Sequence, residues 1–447
     1  MARLFGTDGV RGRAGRELTG ELACGLGRAA VGVLGRHGHR RPTFILGRDT
    51  RASGESLEAA LAAGICSAGG DVLLAGVQTT PAVAFLVADA GVSAGGMISA
   101  SHNPPEDNGI KFFSGDGFKL PDALEDEIEA LLRSELDPAE GLSAGRIRPL
   151  EGATERYLGH LSSAAEAGLE GLRVVVDCAN GAASGPGPEA LARVGAEVIA
   201  LNDRPDGRNI NVECGATRPE VVARAVVEAG ADAGVAFDGD ADRAMFADAD
   251  GNVVDGDQVL AACAIALRDD GRLAGEKVVS TVLANLGFHQ CMGEAGIEVI
   301  TTKVGDRYVL EEMLRSGAVL GGEQSGHIIF REHATTGDGL LTAVKFLGLC
   351  ASAGQPVAKV AGRMPRFPQM HENVPVARRD RLDEAEGLWE TVRAAERALG
   401  DRGRVVVRAS GTEPVVRVMV EARTQDEATR HAREIARQVK AHLDPPD

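Results

Sequence analysis

The chain has 447 residues, 44% hydrophobic and 25% charged, a balance that suits several packed globular domains. Its formal net charge of −17 argues against nucleic acid or an anionic membrane as the main partner, but not against a small anionic substrate held by a local cluster of Arg and Lys. Aromatic residues at 3% are too few for base-stacking platforms, and no uninterrupted apolar stretch reaches membrane-spanning length. Met1–Asp8 carries no long apolar run, so no signal peptide is expected. Seven scattered cysteines without a C-x-x-C pair read as reduced, mostly structural thiols of a cytoplasmic protein, not as a disulfide framework or a zinc site.

Strand-like and helix-like segments alternate from the start. Thr43–Leu46 predicts a strand, Ser53–Ala68 a helix, Asp71–Val77 a strand, Pro81–Ala90 a helix and Gly95–Ser99 a strand. Residues 117–144 read as acidic and helical, followed by a Gly/Pro-containing stretch near Pro149. A second set runs from strand Leu172–Asp177 through helix Glu189–Val194, strand Glu197–Leu201 and helix Pro219–Ala229 to strand Ala233–Phe237. A third has strands near Lys277–Thr281, Glu298–Thr302 and Ala318–Gly321, with helices between. Such alternation predicts α/β units, and each set reads as a variant of one unit. After Pro365–Pro368 the rhythm changes to helix Asp383–Leu399, strands Arg404–Arg408 and Val415–Ala422, and helix Asp426–His442. The expected domains are 1–150, 151–253, 254–366 and 367–447: three related mixed α/β units, then a smaller α+β one.

Five stretches carry chemistry. Arg11, in Thr7-Asp8-Gly9-Val10-Arg11-Gly12, is a phosphate contact or a plain surface Arg. Ser99-Ala100-Ser101-His102-Asn103-Pro104-Pro105 is a tight loop after a strand, either a simple turn or the seat of a nucleophilic serine. Serine needs a base or a metal to react at neutral pH. Side chains of neighbours on extended chain point apart, so no Ser101–His102 pair is expected, and Lys111 lies near enough downstream to reach the same site.

Asp238-Gly239-Asp240-Ala241-Asp242-Arg243 places three carboxylates at alternate positions after the apolar run Ala233–Phe237, at the strand end where α/β sheets bind ligands. On extended chain they point to one side, and their hard oxygens suit Mg²⁺. The bland alternative is an acidic loop. An EF-hand would need Gly and Glu where Arg243 and Ala249 stand, and an aspartyl-nucleophile phosphatase loop would carry Thr or Val where Asp242 stands. Gly322-Glu323-Gln324-Ser325-Gly326-His327 offers a carboxylate, a hydroxyl and an imidazole to a sugar, or is an ordinary polar loop. Arg408-Ala409-Ser410-Gly411-Thr412-Glu413-Pro414 with Arg417 is a phosphate cradle or a common hairpin.

Together these residues resemble the α-D-phosphohexomutase superfamily: the Ser101, Asp238–Asp242, Glu323–His327 and Arg408–Arg417 motifs occur in that family's order, one per expected domain, and the resemblance covers essentially the whole chain. The resemblance implies four domains around a central cleft. It points to the glucosamine branch on Leu4–Gly12, Ser101–Phe113 and Gln324. Mannose- and glucose-directed relatives carry Met at the position of Gln324 and His at that of Asp306. The implied activity interconverts glucosamine 6-phosphate and glucosamine 1-phosphate through a phosphoserine and a 1,6-bisphosphate, feeding UDP-N-acetylglucosamine and cell-wall precursor synthesis. By resemblance Ser101 carries the phosphoryl group. Asp238, Asp240 and Asp242 bind one Mg²⁺ with the phosphoserine, and Lys111, Arg11 and His327 serve catalysis. Arg243, Glu323 and Ser325 hold the sugar, while Arg408, Ser410, Gly411, Thr412 and Arg417 grip the phosphate that is not reacting. Glucosamine 1,6-bisphosphate is intermediate and activator. The only partner implied is the amino-sugar phosphate, with homo-oligomerisation left open. The alternatives are a phosphomannomutase/phosphoglucomutase, a metal-dependent sugar phosphatase that would not need Ser101, and a non-catalytic sugar-phosphate binder.

Overall fold

The structure, a computed structural model, describes residues 3–6, 8–133, 144–410 and 414–443. They divide into two compact units, one of Met1–Leu283 with Gly296–Arg363 and one of Ala284–Ala295 with Met364–Asp447. No helix among the described residues is long and apolar enough to cross a membrane.

The first unit holds three sheets. Strands β1 (Val10–Arg13), β2 (Thr43–Arg48), β3 (Asp71–Val77), β4 (Ala94–Ile98), β5 (Asp107–Ser114) and β6 (Ile147–Pro149) form one, in the order β1-β5-β4-β2-β3-β6. Strands β7 (Arg173–Asp177), β8 (Glu197–Leu201), β9 (Ala233–Phe237), β10 (Ala244–Asp248) and β11 (Val253–Val254) form a second, in the order β11-β10-β9-β7-β8. Strands β12 (Lys277–Thr281), β13 (Glu298–Thr302), β14 (Leu320–Gly322) and β15 (Ile328–Phe330) form a third, in the order β13-β12-β14-β15.

One plan underlies all three. Three parallel strands (β3-β2-β4, β8-β7-β9, β13-β12-β14) are followed, beside the last, by an antiparallel strand (β5, β10, β15). Alternation on the first sheet explains its apolar runs. Phe44, Leu46 and Phe112 enter a core with helices Gly20–Arg36, Gly54–Ser67 and Asp122–Leu132, while Ile45, Met97 and Phe113 enter another with helix Thr80–Ala90.

The sequence reading does not anticipate β1, β5, β10, β11, β15 or the helix Gly20–Arg36. The three antiparallel strands follow loops rich in turn-formers, and β15 has only three residues. The helix carries five glycines, which lower its propensity. Packing accounts for the close approach there: a Cβ on Gly27 would meet the Leu61 carbonyl oxygen at 2.5 Å, and one on Gly64 would meet that of Cys24 at 2.1 Å. Within 117–144, read as helical, the described residues hold only helix Asp122–Leu132, and the Gly/Pro-containing stretch near Pro149 includes strand β6.

In the second unit β16 (Gln369–Pro375), β17 (Arg404–Ala409) and β18 (Val415–Glu421) form an antiparallel sheet in the order β16-β18-β17. Helices Glu386–Leu399 and Gln425–Leu443 pack on it around Leu388, Val418, Val420 and Ile435. Helix Leu286–Glu294 belongs to this unit: the Asn285 side chain exchanges two 3.0 Å hydrogen bonds with the Phe367 backbone, and the Leu286 N–H donates to Glu421 at 3.1 Å.

Candidate active site

The repeated plan places three of the chemical motifs equivalently. The Ser101 loop joins β4 to β5, the Asp238–Asp242 loop joins β9 to β10, and the Glu323–His327 loop joins β14 to β15. Each is the turn at which the third parallel strand doubles back.

Ser101 has a left-handed backbone, φ 52°, and its Oγ donates to Asp238 Oδ2 at 2.6 Å. Its N–H donates to Ser99 Oγ at 3.0 Å, and Ser99 Oγ donates to Asp49 Oδ2 at 2.5 Å. The left-handed residue overturns the expectation that neighbouring side chains diverge here: Ser101 Oγ lies 3.3 Å from His102 Nδ1. Burial, with Arg243 and Arg11, pushes His102 down to about 4, so the ring is neutral at physiological pH.

Asp238, Asp240 and Asp242 are buried, and one oxygen from each lies within 4.8 Å of the others. They converge through a turn, not along extended chain as expected: the Ala241 N–H donates to the Asp238 carbonyl at 3.0 Å, and Ala241 has φ 57°. Burial, then the Asp242 and Asp240 charges, hold Asp238 well above the usual carboxylate range. Burial would raise Asp240 too, but Lys111 outweighs it and pulls Asp240 down. Asp240 Oδ1 and Asp242 Oδ1 are buried and accept no hydrogen bond. Converging carboxylates with unused buried oxygens fit a hard divalent cation.

Lys111, on β5, is 2% exposed; its Nζ lies 2.8 Å from Asp240, 3.3 Å from Asp8 and 3.9 Å from Asp242. Burial opposes its charge, but the carboxylates outweigh burial and keep Lys111 protonated. Thr80 Oγ1 donates to Asp240 at 2.5 Å. Arg11 pairs with Asp8 and places Nη1 3.5 Å from Asn103 Oδ1. Arg243 donates its N–H to Asp238 Oδ1 at 3.2 Å, with its Nε 3.8 Å from Asp242.

Asp8 and Lys119 escaped the sequence reading. Lys119 lies 2.7 Å from Asp8 and also pairs with Asp306, which ties the N-terminus of helix Asp306–Ser316 to Arg11 and Lys111. Burial would raise Asp8, but Lys111, Lys119 and Arg11 hold it well below the usual range. Asp8 sits inside the Thr7–Gly12 motif, a signal that was available, whereas Lys119 stands in no motif.

In the third loop Glu323 accepts the Gly305 N–H at 3.1 Å, which brings the N-terminus of helix Asp306–Ser316 beside it. Ser325 Oγ is buried without a hydrogen bond. Gln324 Nε2 donates to Asp255 at 3.4 Å. His327, 2% exposed, accepts the Gly337 N–H on Nε2 at 3.1 Å and turns Nδ1 toward Asp242 Oδ1 at 3.7 Å. It therefore backs the acidic triplet. Ser101, Lys111, Arg11, the triplet, Arg243 and His327 are thus joined by direct contacts, with Glu323 and Ser325 on the adjoining loop.

In the second unit Arg408 and Arg417 are cross-strand partners on β17 and β18. Burial and the Arg417 charge lower Arg408 from its ordinary value. The Ser410 N–H donates to the Val415 carbonyl at 2.9 Å, and the Ser410 carbonyl accepts from Arg379 at 2.6 Å. Gly411 and Thr412 lie outside the described residues.

Family models of phosphoglucomutase/phosphomannomutase match throughout: α/β/α domain I at residues 2–138, domain II at 155–251, domain III at 255–367 and the C-terminal domain at 372–438. The phosphoglucosamine mutase of Desulforudis audaxviator is 52% identical over 442 residues, 98% of each chain. That of Thermobifida fusca is 52% identical over 445 residues, 99% of each. Among solved structures, a phosphoglucomutase/phosphomannomutase family protein from Burkholderia thailandensis superposes with a TM-score of 0.83 at 24% identity, covering 100% of this chain and 98% of that one. The N-acetylphosphoglucosamine mutase of Aspergillus fumigatus, solved with GlcNAc-6P and magnesium, gives 0.70 at 19% identity, covering 98% and 96%. At those identities the structures show a shared fold alone. The sequence matches show more: this chain belongs to the phosphoglucomutase/phosphomannomutase family of hexose-phosphate mutases, on its phosphoglucosamine mutase branch.

Proposed function

We propose that the protein interconverts glucosamine 6-phosphate and glucosamine 1-phosphate, with Ser101 as phosphoryl carrier. The observation that carries this reading is the Ser101 hydroxyl, 2.6 Å from a carboxylate of the acidic triplet whose neighbour Asp240 is 2.8 Å from buried Lys111. A nucleophile, a cation site and a fixed ammonium meet where a phosphoryl group would have to sit.

Phosphorylated Ser101 gives up its phosphoryl group to the 1-hydroxyl of glucosamine 6-phosphate. The P–O bond to Ser101 breaks, a P–O bond to the sugar forms, and the hydroxyl proton is exchanged for one on Ser101 Oγ. The resulting 1,6-bisphosphate turns end for end and returns its other phosphoryl group to Ser101. Asp238, Asp240, Asp242 and an oxygen of phosphoserine 101 would hold one Mg²⁺, which when bound neutralises charge on the transferring group. Lys111 and Arg11 supply fixed positive charge, and His327 holds Asp242 in place. Glu323, Ser325 and Arg243 bind the sugar. Arg408, Ser410, Gly411, Thr412 and Arg417 hold the phosphate that is not reacting. The setting is cytoplasmic.

Turnover of glucosamine 6-phosphate, glucose 6-phosphate and mannose 6-phosphate by the purified protein tests this. The glucosamine substrate should turn over most efficiently, without free phosphate. Better turnover of glucose or mannose phosphate, or stoichiometric phosphate release, would overturn it.

A further inference from the structure

We propose that Arg51 and Asn211 are positioning residues that clamp the Ser101 peptide in the conformation that aims Oγ at the acidic triplet. The proposal rests on reading Ser101 as the phosphoryl carrier. Arg51 follows β2 and is 1% exposed. Its guanidinium spends all five donors. Nε donates to Asp49 Oδ2 at 2.9 Å, Nη2 to the Ser101 and Asn103 carbonyls, each at 2.9 Å, and Nη1 to the Asp107 carbonyl at 2.9 Å and to that of Pro104. One buried cation thus collects four carbonyls of the serine loop. Asp49, its counter-ion, also accepts Ser99 Oγ, which receives the Ser101 N–H.

Asn211 reaches the same point from the second sheet's side, in the segment between β8 and helix Pro219–Ala229. Its Nδ2 donates to the Ser101 carbonyl at 2.8 Å and the Asn103 carbonyl at 3.1 Å. Both lone pairs of the Ser101 carbonyl are therefore occupied, one by each element. The metal loop packs on the same atoms: a Cβ on Gly239 would lie 2.6 Å from the Ser101 carbonyl oxygen and 2.8 Å from Asn211 Nδ2. A serine at φ 52° is disfavoured for an L-residue, so something must hold it there. The clamp does this from both sides without any of its groups contacting the Oγ. Serine loop and acidic loop are thereby registered against each other through one backbone carbonyl.

The test uses the full chain with Asn211→Gly and Asn211→Asp, both compatible with the left-handed backbone at position 211 (φ 60°). Arg51→Lys is a third variant, and Ser101→Ala a control. Readouts are kcat and KM for glucosamine 6-phosphate, the melting temperature, and the rate at which glucosamine 1,6-bisphosphate phosphorylates Ser101, followed by intact mass. Asn211→Asp, which sets a charge against two carbonyls, should lower kcat and Ser101 loading together by about 10- to 100-fold, with KM within about 2-fold. Asn211→Gly should fall between it and the parent. If Arg51→Lys does not fold, the Asn211 pair carries the test alone. Wild-type kcat and loading in both Asn211 variants, with Ser101→Ala inactive, overturns the clamp and leaves the carrier standing. Full activity in Ser101→Ala overturns both.

Discussion

Replacing Lys111 by methionine keeps the stem and deletes the charge. Asp8 would keep Lys119 at 2.7 Å and its pair with Arg11, but Asp240 would keep only the Thr80 hydroxyl at 2.5 Å among its described contacts. Removing one partner of a buried ion pair costs about 3–5 kcal/mol. Because Asp8 is still compensated, the loss should sit near the lower bound, about 3 kcal/mol, and should shrink when a divalent cation is added to neutralise the triplet. The same variant loses a fixed cation beside the reacting group, worth about 2.7–4 kcal/mol or 10²–10³-fold in kcat by analogy with oxyanion donors. Urea unfolding with and without Mg²⁺, beside steady-state turnover, separates the two effects. Lys111→Met/Asp240→Asn should recover most of the stability and none of the activity. Stability within about 1 kcal/mol of the parent in metal-free Lys111→Met, or turnover restored in the double variant, would refute the reasoning.

Three further outcomes are expected. Burial pushes Asp338 up to about 6, while it accepts the Leu341 N–H at 2.9 Å and the Tyr157 hydroxyl at 2.8 Å. A carboxyl whose folded pKa lies above its unfolded 3.8 contributes fully below that pH and loses the contribution as pH rises through about 6, on the order of 3 kcal/mol. The melting temperature of Asp338→Asn relative to the parent should therefore climb between pH 4 and pH 7; a flat or falling difference contradicts this. Gly239→Ala forces a Cβ to within 2.6 Å of the Ser101 carbonyl, so it should cost about 1–3 kcal/mol by overpacking and lower kcat more than it raises KM, whereas a silent substitution would show that the two loops do not share that contact. Arg417→Ala should release 1,6-bisphosphate into solution during turnover, detectable by mass spectrometry; intact turnover without release counts against the phosphate grip.

The parallel strands could be read from the sequence because each is a short, largely apolar run between helix-like segments or turn-formers. Glu197–Leu201, Ala233–Phe237 and Lys277–Thr281 are found where the pattern puts them. The loops after them were legible for the same reason, which is why Ser101, the acidic triplet and the Glu323 loop stood out. What periodicity could not carry is the return strand. Strand β5 is buried along Asn108–Phe113 yet opens on Asp-Asn-Gly and includes Lys111, so its pattern looks like loop. Nor could local pattern show that Lys119 meets both Asp8 and Asp306, or that Arg51 cradles the serine loop, since these pairings join residues about 50 to 190 positions apart and are fixed by packing. The left-handed residues Ser101 and Ala241 reversed two local inferences made for extended chain. Both sit in loops where neighbouring elements hold the strain.

The most direct test of the account is the phosphorylation state of Ser101 set beside turnover. Intact-mass and peptide mapping of the native protein should find one phosphate, on the peptide containing Ser101. Ser101→Ala should then lose turnover of glucosamine 6-phosphate altogether. A protein whose Ser101 is always bare, together with a fully active Ser101→Ala variant, would contradict the account at its centre.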